Sequence, residues 1–147
     1  MELIHFDAAH GEQLLEHLPD DDPRRDPRYI GIMSEYESAW SLIDGDDLIF
    51  SCGIYPIWDG VGEGWFLPSD LTEEYKFATV RSVNNVFDFV CEKFGITRVQ
   101  ATTDCEIPRD RKFLEVVGFE VESKLRQYGA NGHDFWMMTR FYKWAGR

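Results

Sequence analysis

The sequence predicts an α+β fold, a mixed α/β sandwich in which helices flank one sheet. Two patterns predict it: stretches of period-two alternation, typical of strands, and one long amphipathic helix set between two such stretches. The chain has 147 residues, of which 44% are hydrophobic and 29% charged, which is the composition of a globular protein. That length predicts a single domain over residues 1–147.

The first third of the chain predicts a strand, a helix and a loop. Residues 2–6 have the pattern of a short strand, and Asp7 can cap a helix that ends before Pro19. The charged stretch 20–28 contains two prolines, so we expect an exposed loop there. Residues 28–37 follow, either as a loop or as a helix.

The middle of the chain predicts three strands and the longest helix. Residues 39–44 and 48–58 have the pattern of a hairpin, and residues 64–69 that of a third strand. In residues 71–94 the apolar positions recur at three- and four-residue steps, which is the period of an amphipathic helix, and a glycine follows them.

The last third predicts a strand, a short helix and a hairpin. Residues 98–103 form the strand, and residues 108–119 form the helix, which ends at Gly118. Residues 120–129 and 133–142 form the final hairpin. The long helix then connects two neighbouring strands as a crossover, within a sheet that is otherwise mostly antiparallel.

The negative charge lies in the first half of the chain. The formal net charge is −12 at pH 7. Residues 1–74 hold 18 acidic and 3 basic residues, whereas residues 75–147 hold 9 acidic and 12 basic ones. We therefore expect an anionic ligand to bind the C-terminal half, and the overall balance argues against direct binding to nucleic acid.

Several familiar site motifs are absent from the sequence. It has no P-loop, no GxGxxG after a strand, no HExxH, no GxSxG and no Cys/His quartet, so we expect no metal site. The three cysteines include no CxxC pair, which favours reduced thiols. No apolar run could span a bilayer and no signal-peptide pattern opens the chain, so we expect a cytoplasmic protein without a membrane partner.

Three segments resemble one acyltransferase superfamily. They are WDGVGEGWFLPS at 58–69, RVQATT at 98–103 and FLEVVGFEVESKLRQYG at 113–129. Together with the order of elements, they make residues 39–142 similar to the GCN5-related N-acetyltransferases (GNAT), and more narrowly to acetyltransferase-like proteins of bacteriophages and prophages. The resemblance implies a central sheet with a V-shaped splay. It also implies a phage origin, with the host bacterial cytoplasm as the location.

The resemblance further implies that acetyl-CoA is the acyl donor. Its pantetheine arm is expected to pair like an added strand with Trp65, Phe66, Leu67 and Pro68. Its pyrophosphate is expected where the long helix begins, because free N–H groups and the helix dipole favour negative charge there. The other donor-binding candidates are polar or basic residues near these elements: Lys76, Arg81, Gln100, Thr102, Arg109 and Arg111.

Direct acetyl transfer to an amine needs a base for the amine and an acid for the leaving thiolate. By resemblance, Glu63 is the candidate base, and Tyr128 and Tyr142 are the candidate acids. Each candidate also has a structural interpretation. Glu63 can be a solvated turn residue, the tyrosines can be packing residues, and the arginines of residues 109–111 can form a solvated basic face.

One stretch departs from the family pattern. Where family members have a basic, glycine-rich turn, this chain has PSDLTEEYK at 68–76, whose carboxylates repel a diphosphate. Two functions therefore stay open. One is acetyl-CoA-dependent acetylation of an amine on a host protein or a small molecule. The other is a catalytically inactive GNAT-like phage protein that binds or inhibits a host factor or serves in virion assembly. A third hypothesis is mimicry of nucleic acid by the acidic run at 20–27.

Overall fold

The structure is a computed structural model and describes residues 1–143. Strands and helices alternate along most of this length. Their bounds in chain order are β1 Glu2–His5, α1 Ala8–Leu15, a 3₁₀ helix Pro23–Arg25, α2 Pro27–Ser34, β2 Ala39–Asp44, β3 Asp47–Trp58, β4 Val61–Pro68, α3 Lys76–Phe94, β5 Arg98–Asp104, α4 Pro108–Val116, β6 Glu120–Leu125 and β7 Phe135–Phe141.

The seven strands form one sheet in the order β1-β2-β3-β4-β5-β7-β6. All neighbouring pairs are antiparallel except β4 and β5, which are parallel and are joined by α3. This confirms the predicted mixed, mostly antiparallel sheet with a crossover between neighbouring strands. In the C-terminal hairpin, β7 rather than β6 lies beside β5.

Helices cover both faces of the sheet. On one face, α1 and α2 pack Leu14 and Ile30 against Trp65 of β4. On the other face, α3 packs Phe87 in a cluster that includes Val99 of β5. We call these the α1/α2 face and the α3 face. Within residues 1–143, no helix is long and apolar enough to cross a membrane.

Helix α3 begins at Lys76, later than the start predicted from the apolar pattern. Residues 69–75 form turns instead. The reason is a pair of hydroxyl contacts: Ser69 and Thr72 both donate to the carbonyl of Ile49, at 2.6 and 2.8 Å. These bonds hold the chain against β3 and delay the helix.

The charged stretch 20–28 was expected to be an exposed loop, and this prediction is wrong for two of its arginines. Arg25 turns inward and donates to the carbonyls of Leu15 and Leu18, at 2.7 and 3.0 Å. Leu15 ends α1 and Leu18 lies in the turn that follows, so Arg25 connects this turn to the 3₁₀ helix. Arg24 also turns inward, toward β4. Helix α2 follows directly, where either a loop or a helix was expected.

Candidate functional site

Strands β4 and β5 pair at only one end. Their parallel register covers three residue pairs and ends at Glu63 and Gln100. Beyond this point β4 continues to Pro68 and β5 continues to Asp104 without pairing with each other. The two strands therefore diverge, and the predicted V-shaped splay is confirmed.

The backbone groups of β4 alternate between its two neighbours. On β3, the N–H of Ile54 donates to the carbonyl of Ser38, at 3.1 Å, which is on the β2 side. The next residue along, Gly53, therefore faces β4, where the register pairs it with Trp65. Since alternate residues of a strand point their backbone groups to opposite sides, the N–H and C=O of Phe66 point into the splay.

A charged side chain already lies at this edge. Arg24 donates from Nη1 to the carbonyl oxygen of Phe66, at 2.7 Å. The same guanidinium is held by Asp22 through Nε–Oδ1 at 3.0 Å and Nη2–Oδ2 at 2.7 Å. The sequence pattern gave no sign that Arg24 reaches β4, because the two positions are 42 residues apart along the chain.

Aromatic rings lie on the α3 face of the splay. The ring of Phe66 packs against Phe50 of β3, with centroids 5.2 Å apart, and against Phe113 of α4, with centroids 4.8 Å apart. Helix α4 follows β5 in the chain, so the contact of Phe113 with Phe66 crosses the opening. The backbone of the splay is open, whereas side chains fill part of it.

Glu63 is the last residue of β4 that pairs with β5. It alternates with Gly64 and lies on the same face as Trp65, the α1/α2 face. The side chain is half-buried, and this burial raises the pKa of its carboxyl above the usual value. A carboxylate with a raised pKa is a better proton acceptor near neutral pH, as a general base requires.

Tyr29 of α2 was missed by the sequence analysis and lies in the same region. Burial, with a contribution from the Glu63 carboxylate, raises the pKa of Tyr29 to about 12, although the charge of Arg24 opposes this. The phenol is therefore protonated at neutral pH and can donate a hydrogen bond. Its sequence signal was weak, because Tyr29 stands in a stretch that the pattern left open between a loop and a helix.

Two polar residues of β5 lie on the same face of the sheet as Glu63. Gln100 and Thr102 alternate with Val99 and Ala101, which belong to the core on the α3 face. They therefore lie on the α1/α2 face, and both are half-buried. The structure brings Gln100 opposite Glu63 and puts Thr102 on the diverging part of β5.

The turn before α3 is a poor match for a diphosphate. Asp70, Glu73 and Glu74 are exposed there, and Tyr75, the N-cap residue of α3, makes no side-chain hydrogen bond to the helix. Lys76, the first residue of α3, is the predicted basic residue at this end. With three carboxylates and one ammonium group, the turn has a net negative charge, which repels a diphosphate.

Arg81 was predicted as a donor-binding residue, and the structure does not bring it to the splay. It lines a depression of about 270 Å³ together with Met1, Glu2 and Leu3. That depression lies beside β1, and β2 and β3 separate β1 from β4 in the sheet. The helical turn after Lys76 points this side chain toward the outer edge of the sheet.

The two predicted arginines of α4 differ in their contacts. Arg111 forms an ion pair with Glu115, at 3.1 Å, and its guanidinium lies 5.0 Å from the ring centroid of Trp136. Arg109 is exposed and has a looser contact with the neighbouring Asp110, at 3.8 Å. Moving toward a phosphate would cost Arg109 only this weaker contact, whereas it would cost Arg111 an ion pair and a contact with an aromatic ring.

The two candidate acids lie at opposite ends of the sheet. Tyr142 donates its backbone N–H to Thr97, at the paired end of β5, and burial raises the pKa of its phenol. The structure therefore does not bring Tyr142 to the splay. Tyr128 is exposed on the loop between β6 and β7 and packs on Phe135, which pairs with Asp104 at the open end.

A hydrogen-bonded ion cluster lies where β5 ends. His133 has Nδ1 at 2.8 Å from Asp104 Oδ2 and Nε2 at 2.8 Å from Glu106 Oε2. Within residues 1–143, these three are the group whose ligand atoms are close enough to share a metal ion. Both imidazole nitrogens, however, already face carboxylates, which is the arrangement of an imidazolium ion that neutralises them.

Comparison with known proteins gives the fold a family resemblance. The structure matches Ard1 from Thermoplasma volcanium with a TM-score of 0.81 and 12% identity, covering 97% of this chain and 98% of that one. It matches a SpeG chimera of the Vibrio cholerae spermidine N-acetyltransferase and hSSAT with a TM-score of 0.75 and 13% identity, covering 96% of each chain. It matches a GNAT-family acetyltransferase from Bacillus anthracis with a TM-score of 0.71 and 12% identity, covering 95% and 93%.

The chain has the GNAT fold. The likeness extends over nearly the whole length of each neighbour, so the splay lies within the matched region. No protein-family profile matches the sequence. No curated protein matches it either. At 12–13% identity the likeness establishes the fold, and the chemistry has to be argued from the site itself.

Proposed function

We infer that the protein is an acetyl-CoA-dependent N-acetyltransferase that transfers the acetyl group directly to a cationic amine. The observation that carries this is the unpaired edge of β4 beyond Glu63. Backbone N–H and C=O groups at an open strand edge bind an extended chain of amides by strand addition. The pantetheine arm of acetyl-CoA is such a chain, and Phe66 offers it both kinds of group.

Direct transfer assigns a distinct task to Glu63. Its carboxylate takes a proton from the ammonium of the acceptor, directly or through one water, and the freed amine nitrogen attacks the thioester carbonyl carbon. The C–N bond forms, the C–S bond breaks, the nitrogen loses a second proton as the amide forms, and the thiolate of CoA leaves and takes up a proton. Tyr128 stays the predicted acid for that step, and Tyr29 is a second candidate because it lies near Glu63.

The carboxylate of Glu63, on the α1/α2 side of the splay, supports a cationic acceptor, because an ionised carboxylate attracts an ammonium group and repels an acid. Asp110 of α4 is a second acidic group: burial raises its pKa, the charges of Arg109 and Arg24 oppose this, and those of Asp22 and Asp104 add to it. Among the structural neighbours, SpeG is a spermidine N-acetyltransferase, which agrees in charge with this proposal.

The first test is turnover. The protein is mixed with acetyl-CoA and either spermidine, a lysine peptide or aniline, which is uncharged at pH 8, and the release of CoA thiol is followed. We expect release with at least one cationic amine and much less with aniline. Release no faster than hydrolysis with every amine at millimolar concentration contradicts an acetyltransferase.

The second test addresses the strand edge itself. Phe66→Pro removes the ring and the N–H that faces the splay, whereas the matched variant Phe66→Ala removes the ring alone. Pro68, at a position of the same orientation, indicates that this edge accepts proline. We expect acetyl-CoA to bind Phe66→Pro about threefold to tenfold more weakly than Phe66→Ala, the effect of one hydrogen bond, by titration calorimetry. Equal affinities contradict strand addition at Phe66.

A second function has its own supporting observation, the acidic turn 70–74 together with the side chains that fill the splay. In this alternative, the chain is a GNAT-fold protein without catalysis that binds or inhibits a host factor, or serves in the assembly of a phage particle. Recovery of a stoichiometric bacterial partner from lysate, by a protein that neither binds nor turns over acetyl-CoA, favours it over the enzyme.

A further inference from the structure

Arg24 is hydrogen-bonded to the backbone carbonyl that a bound acyl donor would use. Its Nη1 lies 2.7 Å from the carbonyl oxygen of Phe66, which faces the splay. A donor arm that adds to β4 as a strand must approach this same oxygen with an amide N–H. A carbonyl oxygen can accept two hydrogen bonds, but the guanidinium is larger than an amide N–H, so we expect it to compete with the donor arm for the space beside this oxygen.

The position of Arg24 is held, and is not a chance contact of a loose side chain. Asp22 binds Nε and Nη2 side by side, at 3.0 and 2.7 Å, and its Oδ1 also accepts the backbone N–H of Arg24, at 2.9 Å. Such a paired geometry fixes the plane of the guanidinium, which leaves Nη1 directed at β4. Although burial opposes it, the hydrogen bonds and the charge of Arg24 hold the pKa of Asp22 below its usual value, so the pair stays charged at neutral pH.

The neighbouring arginines have other tasks. Arg25 donates to the carbonyls at the end of α1. Arg28 pairs with Asp26 on the surface, at 2.6 Å, with 86% of its side chain exposed. Of these three arginines, Arg24 is the one whose side chain donates to β4. The chain therefore contains matched controls, with the same residue type one and four positions away.

We propose that the segment Asp22–Arg24 is a latch that closes the donor edge of β4 and must leave before acetyl-CoA binds. The proposal rests on the function inferred above. In the closed state Arg24 satisfies the carbonyl that β5 leaves unpaired, which protects an exposed edge. In the open state the donor arm replaces it, and Arg24 moves with the 3₁₀ helix toward solvent.

The latch makes a prediction of unusual sign, because removing a charged side chain from the site strengthens binding. We expect Arg24→Ala to bind acetyl-CoA about tenfold more tightly than the unmodified protein, the scale of one hydrogen bond from a charged donor. Asp22→Asn, which loosens the guanidinium without deleting it, is expected to give a smaller gain in the same direction. Titration calorimetry with acetyl-CoA measures both.

Arg25→Ala is the control for a general loosening of the loop. It is expected to lower the melting temperature, because the carbonyls of Leu15 and Leu18 lose their donor, and to leave the affinity for acetyl-CoA unchanged. Should Arg24→Ala fold poorly by circular dichroism, Arg24→Gln keeps most of the side chain without its charge and is expected to show the same gain.

The outcomes separate the latch from the proposed function. Tighter binding by Arg24→Ala, with Arg25→Ala unchanged, supports the latch. Equal or weaker binding by folded Arg24→Ala and Arg24→Gln, when the unmodified protein does bind acetyl-CoA, overturns the latch and leaves the acetyltransferase in place. Failure of every variant to bind acetyl-CoA overturns both, since a latch against a donor requires a donor.

Discussion

Strand β4 has two edges that are used very differently. Toward β3 it pairs along eight residues, whereas toward β5 it pairs along three. The first edge is therefore paired with β3 along nearly its whole length. Along the second edge, Arg24 from a loop 42 residues away in the chain reaches the carbonyl of Phe66, and we infer that a ligand binds there. One strand thus serves structure on one side and, on our account, function on the other.

The largest expected effect comes at the residue where the second edge opens. Glu63→Gln removes the proton acceptor but keeps the size of the side chain, so we expect acetyl transfer to fall by about a hundredfold or more while acetyl-CoA binding stays the same. Thiol release and calorimetry measure the two quantities. The matched variant Glu92→Gln, on the exposed surface of α3, is expected to behave like the unmodified protein. Equal turnover by the two variants removes Glu63 from the mechanism.

The rate is also expected to depend on pH with a definite sign. Burial raises the pKa of Glu63 above its usual value, and only the ionised carboxylate accepts a proton. Turnover should therefore rise as the pH increases through this raised pKa, and Glu63→Gln should lose that limb of the profile. A profile of the same shape in both proteins assigns the titration to another group.

The next effect concerns β3, the strand that pairs with the first edge of β4. A Cβ on Gly53 of β3 would lie 2.7 Å from the carbonyl oxygen of Ser38 and 2.9 Å from the Cα of Ala39, which are backbone atoms that cannot move aside cheaply. We expect Gly53→Ala to lower the free energy of unfolding by about 2 kcal/mol. Urea denaturation measures it.

Gly31 of α2 supplies the opposite case. A Cβ there would meet no atom within 4 Å, so Gly31→Ala is expected to stabilise the chain by about 0.5–1 kcal/mol, the gain for alanine over glycine in a helix. A destabilisation by Gly31→Ala as large as that by Gly53→Ala would show that close packing at β3 is not what decides the result.

The smallest effect concerns the open end of β5. The hydrogen bond to Asp104 raises the pKa of His133 above its usual value. A raised folded pKa adds stability that is complete below the unfolded pKa, about 6.5, and is lost as the pH rises through the folded pKa. The melting temperature of the unmodified protein should exceed that of His133→Gln at pH 6 and approach it at pH 9. A gap that does not change with pH excludes the charged pair.

The sequence predicted most of the fold because its signals are local. Alternation and helical period located all seven strands and the long helix, and the crossover rule predicted that β4 and β5 are neighbours. It left residues 28–37 open between a loop and a helix, and it did not predict the 3₁₀ helix. Those helices did have a local signal, since Asp22-Pro23 and Asp26-Pro27 are each an N-cap followed by a proline in the first turn.

The candidate site was predicted only in part. Glu63 and Gln100 come together as expected, because both follow from the strand pattern and the crossover. Arg24 and Tyr29 were missed, and Arg81 lies beside β1 instead of at the splay. Each of these depends on how distant segments pack: Arg24 meets a residue 42 positions away, and the direction of Arg81 depends on which turn of α3 faces β1. No local pattern contains that information.

The central claim is that an acyl donor adds to the second edge of β4. It is tested most directly by amide hydrogen exchange, resolved by residue in NMR spectra, with and without saturating acetyl-CoA. The N–H of Phe66 faces the splay, whereas the N–H groups of Trp65 and Leu67 face β3. The account predicts that acetyl-CoA slows exchange at Phe66 and leaves Trp65 and Leu67 nearly unchanged. Unchanged exchange at Phe66, with acetyl-CoA bound, contradicts it.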